Sequence, residues 1–180
     1  MRLGTYIATA VTKLCQKGIL AGKTNIQKVL YFALPEDQRK TFYYPYHYGP
    51  YCSEVQQSVN ALLKNSILVP SPKNGFTLKT DWERSQAEDS VVDRISNVVD
   101  FLSANGQVDT STIAYLAKVH FLSKTNRKDA LSDLPGYIKN QSRFLGWLGL
   151  AEISRTEIEN YLSLAEQMDA ELVEASGTDS

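Results

Sequence analysis

The chain has few cysteines and no long apolar runs. Its 180 residues include only two cysteines, too few for a disulfide scaffold, so a reduced cytoplasmic setting is expected. No apolar run approaches the ~18 residues that a membrane-spanning helix needs. The N-terminal segment MRLGTYIATAVTKLCQKG is interrupted by threonines and lysines and does not resemble a signal peptide. These absences favour a globular cytoplasmic protein without a membrane segment.

Recognisable catalytic and metal-binding patterns are also missing. The motifs GxxxxGK[ST], GxGxxG, HExxH and GxSxG do not occur. His47 and Cys52 are close in sequence, but no nearby Asp or Asn is placed to orient them for nucleophilic catalysis. The two cysteines and two histidines have no paired spacing of the kind that binds zinc. The sequence therefore predicts a protein with no catalytic activity, no metal and no cofactor.

Charge is distributed unevenly along the chain. Residues 1–80 contain ten lysines and arginines and three acids, whereas residues 81–180 contain nine bases and seventeen acids. Such a division indicates a half that binds a polyanion and a separate acidic half. The alternative is that the acidic half docks on the basic half of the same chain, and both can hold together.

Hydrophobic periodicity predicts a mostly helical chain. Apolar residues recur with helical spacing in each predicted helix, and in the second of them Gln27 and Lys28 are expected to face outward. The segment PEDQRKTF is predicted to be a polar connection, and residues 128–150 to be less regular. The predicted helices cover residues 5–17, 25–34, 53–65, 89–104, 111–123 and a last helix that begins at the capping box Ser154-x-x-Glu157.

Three short strands are expected among these helices. In YYPYHY the aromatic residues alternate with period 2, so we expect Tyr46 and Tyr48 to fill the core, although tyrosines of this kind could also stack on bases. Gly49-Pro50 is expected to end this strand. The other two strands, 67–69 and 76–79, are joined by a turn at Lys73-Asn74-Gly75, since Asn-Gly readily supplies a positive φ.

The order helix, helix, strand, helix, hairpin is that of a winged helix-turn-helix. We therefore expect a mainly α (α+β) fold, with a winged helix-turn-helix that carries a small β-hairpin wing and is followed by a C-terminal helical bundle. The predicted domains are a winged-helix-like domain at 1–81 and a helical domain at 82–174, which packs on it or mediates dimerisation. Residues 175–180 are expected to form a flexible tail.

The third predicted helix would be the recognition helix, because amide, hydroxyl and lysine side chains read base edges in the major groove. Cations on the wing could reach phosphates. The alternative is a solvated polar face on a protein-binding module, since Glu54 would repel a phosphate and the helix has no arginine. The predicted DNA-binding residues are Ser53, Gln56, Gln57, Asn60 and Lys64 on the helix, with Lys73 and Lys79 on the wing.

Two short motifs carry a resemblance to a known family. IQKVLY at residues 26–31, followed by YxYGPY at residues 46–51, resembles the "LQKLLY … YGP" pattern of the Panacea-type antitoxin domain. It is also similar to prokaryotic winged-helix proteins with a "YGPYS" signature, although Cys52 stands where serine is common. The resemblance implies a helical core with a helix after the Gly-Pro turn. Its structural signature comprises Lys28, Tyr31, Tyr46, Tyr48, Gly49, Pro50 and Tyr51.

The sequence thus leads to three hypotheses about function. The first is a winged-helix DNA-binding regulatory protein, which could be a homodimer. The second, implied by the resemblance, is a protein-binding module such as an antitoxin, whose acidic half engages a basic partner such as a toxin. The third is an oligomeric scaffold that binds no nucleic acid.

Overall fold

The computed structural model describes residues 3–79, 90–125 and 132–174, and in these ranges the protein is mainly helical. The predicted domain boundary at 81/82 and the predicted tail at 175–180 lie outside the described residues. In chain order the elements are α1 (Leu3–Gln16), α2 (Lys23–Ala33), α3 (Glu36–Phe42), β1 (Tyr44–Tyr46), β2 (Gly49–Tyr51), α4 (Ser53–Lys64), β3 (Leu68–Ser71), β4 (Gly75–Leu78), α5 (Ser90–Ala104), α6 (Thr110–Thr125), α7 (Leu134–Phe144), α8 (Leu148–Glu152) and α9 (Arg155–Glu174).

Two antiparallel hairpins are the sheet structure of the described chain. The hairpin β3–β4 follows the prediction, with ends that agree to within two residues. The prediction that Gly49-Pro50 ends the aromatic strand is wrong. The chain instead reverses after Tyr46, and β2 returns antiparallel to β1, with Tyr46 opposite Gly49. Tight reversal is possible because Gly49 has φ 101, a region that residues with a Cβ rarely adopt.

The polar segment PEDQRKTF is helical, so the prediction of a connection is wrong there. It forms α3, in which Glu36 and Asp37 occupy the first turn and Arg39 and Lys40 the last, an order that complements the helix dipole. Lys40 also pairs with Glu36, Nζ to Oε1, at 2.6 Å. Since this short helix has no apolar stripe, hydrophobic periodicity could not reveal it.

The predicted irregular stretch 128–150 contains the two helices α7 and α8. Asp133 caps α7 by accepting a hydrogen bond from the backbone N–H of Gly136 at 3.1 Å. The capping box of α9 is confirmed, because the Ser154 N–H donates to Glu157 Oε2 at 2.8 Å and the Glu157 N–H donates to Ser154 Oγ at 3.2 Å.

One hydrophobic core joins the basic and acidic halves of the chain. Helix α5 packs against α1 and α2, and α6 packs against α2 and α9, so that Ile7, Leu30 and Ile95 belong to one cluster of buried residues. A second cluster lies around Trp147, between α6, α7, α8 and α9. Within the described ranges no helix is both long and apolar enough to cross a membrane.

Candidate functional site

The aromatic hairpin β1–β2 exposes its tyrosines. Tyr44, Tyr46 and Tyr48 are 44%, 48% and 67% exposed, so the prediction that Tyr46 and Tyr48 fill the core is wrong. The Tyr51 ring centroid lies 4.8 Å from that of Tyr46 and 5.6 Å from that of Tyr44. Of the tyrosines between residues 43 and 51, only Tyr43, which precedes the hairpin, is buried. The hairpin therefore presents a cluster of neighbouring rings to solvent.

Two polar residues of α2 hold the second strand of this hairpin. Lys28 Nζ donates to the Pro50 carbonyl at 2.7 Å. The Gln27 side-chain amide makes two hydrogen bonds to the backbone of Cys52, donating to its carbonyl at 2.9 Å and accepting from its N–H at 3.1 Å. Both side chains are buried, at 2% and 3% exposure, so the prediction that they face outward is wrong. They are buried because they satisfy backbone groups that would otherwise lack partners.

A second buried lysine, Lys118 of α6, passes behind the hairpin at Gly49. A Cβ at position 49 would lie 2.9 Å from Lys118 Cγ and 3.5 Å from Lys28 Cε, so only glycine leaves room for both stems. Lys118 Nζ lies over the rings of Tyr115 and Trp147, 5.4 and 5.6 Å from their centroids, in cation–π geometry. Gly49 at the start of β2 and the two lysines thus form one packed unit.

The first strand of the hairpin is held from the acidic half of the chain. The buried Trp147 donates its indole Nε1–H to the Tyr46 carbonyl at 2.7 Å. This bond fixes the hairpin relative to α7 and α8, so that the exposed rings are carried on a supported backbone. Nothing local in the sequence signals it, because the partners are 101 residues apart.

Burial, followed by the charge of Lys118, lowers the pKa of Lys28 to about 7. Between pH 7 and pH 10.5, the ordinary lysine value, the unfolded chain therefore binds a proton that the folded protein lacks. Stability consequently rises with pH over this window, by at most about 1.4 kcal/mol per pH unit for this group.

Lys28→Met is expected to flatten this dependence. Urea unfolding at pH 7.5 and pH 9.0 would show a smaller gain in the free energy of unfolding for the variant than for the unmodified protein, because the ionisable group is gone. Lys64→Met, which removes an exposed lysine of α4, is the matched control. An identical gain in Lys28→Met and the unmodified protein would contradict the argument.

The predicted DNA-reading face lies on α4 and is accessible. Gln57, Asn60 and Lys64 are exposed, while Ser53 and Gln56 are half-buried. The opposite side of the helix is buried through Val55, Val59 and Leu62. Three of the predicted residues already have partners, since the Ser53 hydroxyl donates to the Glu54 carboxylate at 3.0 Å and Gln56 Nε2 donates to Asn60 Oδ1 at 3.0 Å.

The sequence analysis missed Lys23, at the start of α2, which also belongs to this surface. Its Nζ donates to Asn60 Oδ1 at 3.3 Å, so a cation lies directly beside the α4 face. A groove of ≈ 260 Å³ separates α2 and α4 from the hairpin and contains no acidic side chain among its lining residues. Its lining includes Lys23, Gln27, Lys28, Tyr46, Tyr48 and Gln56.

The predicted wing, β3–β4, docks its turn on the linker between α1 and α2. The Ala21 N–H donates to the Asn74 carbonyl at 2.8 Å. A Cβ at Gly75, which has φ 77, would lie 3.1 Å from the Ala21 backbone. Lys73 and Lys79 are both exposed. The turn that carries Lys73 therefore packs against the backbone of Ala21, two residues before Lys23, and does not project freely into solvent.

A buried charged network lies on the far side of α2, and local sequence patterns do not predict most of it. The Tyr31 hydroxyl donates to His120 Nδ1 at 2.7 Å, and His120 Nε2–H donates to Asp169 at 3.0 Å. Arg39 and Lys124 also contact the Asp169 carboxylate, at 3.3 and 2.9 Å. His120 is thus a hydrogen-bonded residue of the core, with 1% of its surface exposed.

The pKa shifts fix the charges of this network. Burial lowers the pKa of His120, so the imidazole is neutral, and burial raises the pKa of Tyr31, so the hydroxyl keeps its proton. Burial alone would raise the pKa of Asp169, but the hydrogen bonds that it accepts from His120 and Lys124, together with the charge of Arg39, lower it well below its usual range. We infer that the network is an ionised clamp that joins α2, α3, α6 and α9.

Comparisons of the chain with family models, with curated proteins and with solved structures returned no match. The resemblance to the Panacea-type domain therefore stays a prediction, as do the functions it implies. In the described ranges of the chain, no group of three or more His, Cys, Asp or Glu side chains could hold a metal ion.

Proposed function

We propose that this chain is a DNA-binding regulatory protein that contacts DNA through α4 and the groove beside it. The carrying observation is that Gln56 of α4, the cation Lys23 and the exposed tyrosines Tyr46 and Tyr48 line one groove with no acid among its described lining residues. Lys23 also contacts Asn60 on the exposed face of α4. Lysines contact phosphates and amide side chains read base edges, so the surface offers both kinds of contact that DNA recognition needs.

The order of elements supports a winged helix-turn-helix within this proposal. Helices α1, α2 and α4 pack together, and β3–β4 follows α4 as the wing would follow a recognition helix. Helix α3 and the hairpin β1–β2 are then additions between α2 and α4. Because Val55, Val59 and Leu62 turn inward, the recognition helix would present its amides outward.

Each group on the surface would have its own task. Gln57 and Asn60 would contact base edges, and Lys23, Lys64, Lys73 and Lys79 would contact phosphates. The tyrosines of the hairpin would stack or pack against the sugar-phosphate backbone. Glu54 is the opposing feature, since its exposed carboxylate lies at the first turn of α4 and would repel a phosphate.

The test of base reading is the double variant Gln57→Ala with Asn60→Ala. We expect affinity for a selected DNA site to fall about tenfold or more, since a good base contact contributes about 1–3 kcal/mol, while affinity for random DNA changes little. The matched control is Asn160→Ala with Gln167→Ala, an exposed amide pair on α9. If the α4 and α9 variants bind the selected site equally well, α4 does not read bases.

Loss of a phosphate contact is expected to change DNA binding differently from loss of a base contact. Lys73→Ala should weaken binding to all sequences alike and reduce the salt slope by about one unit. Fluorescence anisotropy at several salt concentrations measures both quantities. A slope that does not change would remove Lys73 from the interface.

A second candidate function is protein binding of the antitoxin type, favoured by the exposed tyrosine cluster, because tyrosines are frequent at the energetic centres of protein interfaces. In this case the acidic helix α9 would engage a basic partner. Charge reversal at Glu166 is the cleanest test, since Glu157 caps α9 and Glu159 pairs with Arg155. Co-purification of a basic protein that Glu166→Lys abolishes would favour this candidate over DNA.

A further inference from the structure

A cavity of ≈ 230 Å³ opens beside the charged network, between α2, α3 and α6. It lies on the other side of α2 from the proposed DNA surface and shares no lining residue with the groove there. Its lining has an aromatic wall and a cationic wall, and it also includes Glu36 and His120. The residues that define them are Tyr31, Tyr43 and Phe121 for the aromatic wall, and Arg39, Lys40 and Lys124 for the cationic wall.

The cationic wall carries more positive charge than its acids neutralise. Lys40 pairs with Glu36 at 2.6 Å. Arg39 and Lys124 share the single carboxylate of Asp169, and His120 is neutral. Among the described residues of this set, three cations therefore face two carboxylates, which leaves one positive charge that no acid of the set balances. A monoanion in the cavity would balance it.

Arg39 has hydrogen-bonding capacity to spare. Its side chain is 9% exposed, and its Nη1 contacts both Asp169 and His120. Its Nε and Nη2 groups make no hydrogen bond to any residue of the described chain. A guanidinium presents its donors in a planar fork that matches a carboxylate in two parallel bonds. A cavity lined by such a group is suited to a carboxylate.

The aromatic wall suits a flat apolar body. The Tyr31 ring centroid lies 5.2 Å from that of Tyr43 and 6.3 Å from that of Phe121, with the planes inclined at 63° and 52°. All three rings line the cavity, so a further ring placed in it would meet aromatic surface. An apolar wall also disfavours a strongly hydrated dianion such as a phosphate, because its desolvation would not be compensated.

We propose that this cavity is a binding site for a small aromatic carboxylate. The carboxylate would lie between Arg39 and Lys124, and the ring would pack against Tyr31, Tyr43 and Phe121. This site does not depend on DNA binding, so it stands or falls separately from the proposed function.

The probe is benzoate, titrated into the full chain by calorimetry at constant ionic strength. Benzyl alcohol keeps the ring without the charge, and acetate keeps the charge without the ring. We expect benzoate to bind with a stoichiometry of one and at least about tenfold more tightly than either control, since losing one interaction of about 1.4 kcal/mol is a tenfold change. Benzoate binding no tighter than acetate or benzyl alcohol would overturn the proposal.

Two variants place the binding in this cavity. Arg39→Lys keeps the charge and removes the fork, so benzoate should bind at least about tenfold more weakly. Arg39 is part of the buried network, so Arg39→Lys could lose its fold, and Lys40→Gln is therefore the second test. Lys40 lies on the exposed side of α3, and its loss should lower the affinity for benzoate severalfold. Lys17→Gln, which breaks a comparable exposed pair with Asp100 on α5, is the control. Benzoate affinity equal in Lys40→Gln and Lys17→Gln would place the binding elsewhere and overturn the assignment.

Discussion

Asp169→Asn is expected to lower the free energy of unfolding by about 3 kcal/mol, the low end of the range for removing one member of a buried ion pair. Asp169 is the carboxylate that Arg39, His120 and Lys124 all contact. Without its charge, the Arg39 guanidinium stays at 9% exposure and loses its ion-pair partner among the described residues. The low end applies because the Asp169 side chain keeps 22% of its surface exposed. Urea denaturation at neutral pH measures the loss.

The control for this variant is Asp100→Asn. Asp100 contacts Lys17 at 2.7 Å, closer than any contact of Asp169, but the two side chains are 54% and 41% exposed. Exposed pairs contribute less than about 1 kcal/mol. Distance alone would rank the Asp100 pair as the stronger, whereas burial ranks Asp169 first. Equal losses in the two variants would show that the network around Asp169 is no more than a set of surface pairs.

Gly49→Ala is expected to have the second-largest effect, a loss of about 2–3 kcal/mol. Position 49 has φ 101, where a residue with a Cβ is strained by about 1–3 kcal/mol. The new methyl would also meet Lys118 Cγ at 2.9 Å. This atom is in the middle of a buried side chain rather than at a free end, so it cannot move aside cheaply.

Gly106→Ala separates the effect of backbone strain from the effect of crowding. Gly106 has φ 68, and a Cβ there would meet no atom within 4 Å, so its substitution tests backbone strain without crowding. We expect a loss of about 1 kcal/mol, the cost of the left-handed conformation. Thermal or urea unfolding of both variants compares them directly. If Gly49→Ala loses no more than Gly106→Ala, the two lysines behind Gly49 do not crowd this position.

Some of this architecture could be predicted from local patterns. Helix α4 was predictable because Val55, Val59 and Leu62 recur with helical period, and the turn of β3–β4 because Asn-Gly favours it. Helix α3 was not, since its residues are polar and its stability depends on dipole and ion-pair effects that leave no hydrophobic pattern. Local chemistry thus sufficed where one face of an element is apolar.

The candidate site was less predictable, because its critical contacts join distant parts of the chain. The pattern of α2 places Gln27 and Lys28 on its polar side, and only the hairpin, more than 20 residues away, turns them into buried donors. Arg39 and Asp169 are 130 residues apart, and each alone looks like a solvated surface charge. The alternation of aromatic residues around Tyr46 suggested that one face of the strand is buried. The hairpin is instead held through its backbone, by Lys28 and Trp147, and its tyrosine rings are exposed to solvent.

The central claim is that the groove between α2, α4 and the tyrosine hairpin contacts DNA. Its most direct test is fluorescence anisotropy of a labelled random duplex titrated with the full chain, from low to physiological salt. We expect binding whose log affinity falls linearly and steeply with log salt, because lysines release the counterions of the phosphates they contact. No binding even at the lowest salt would contradict it.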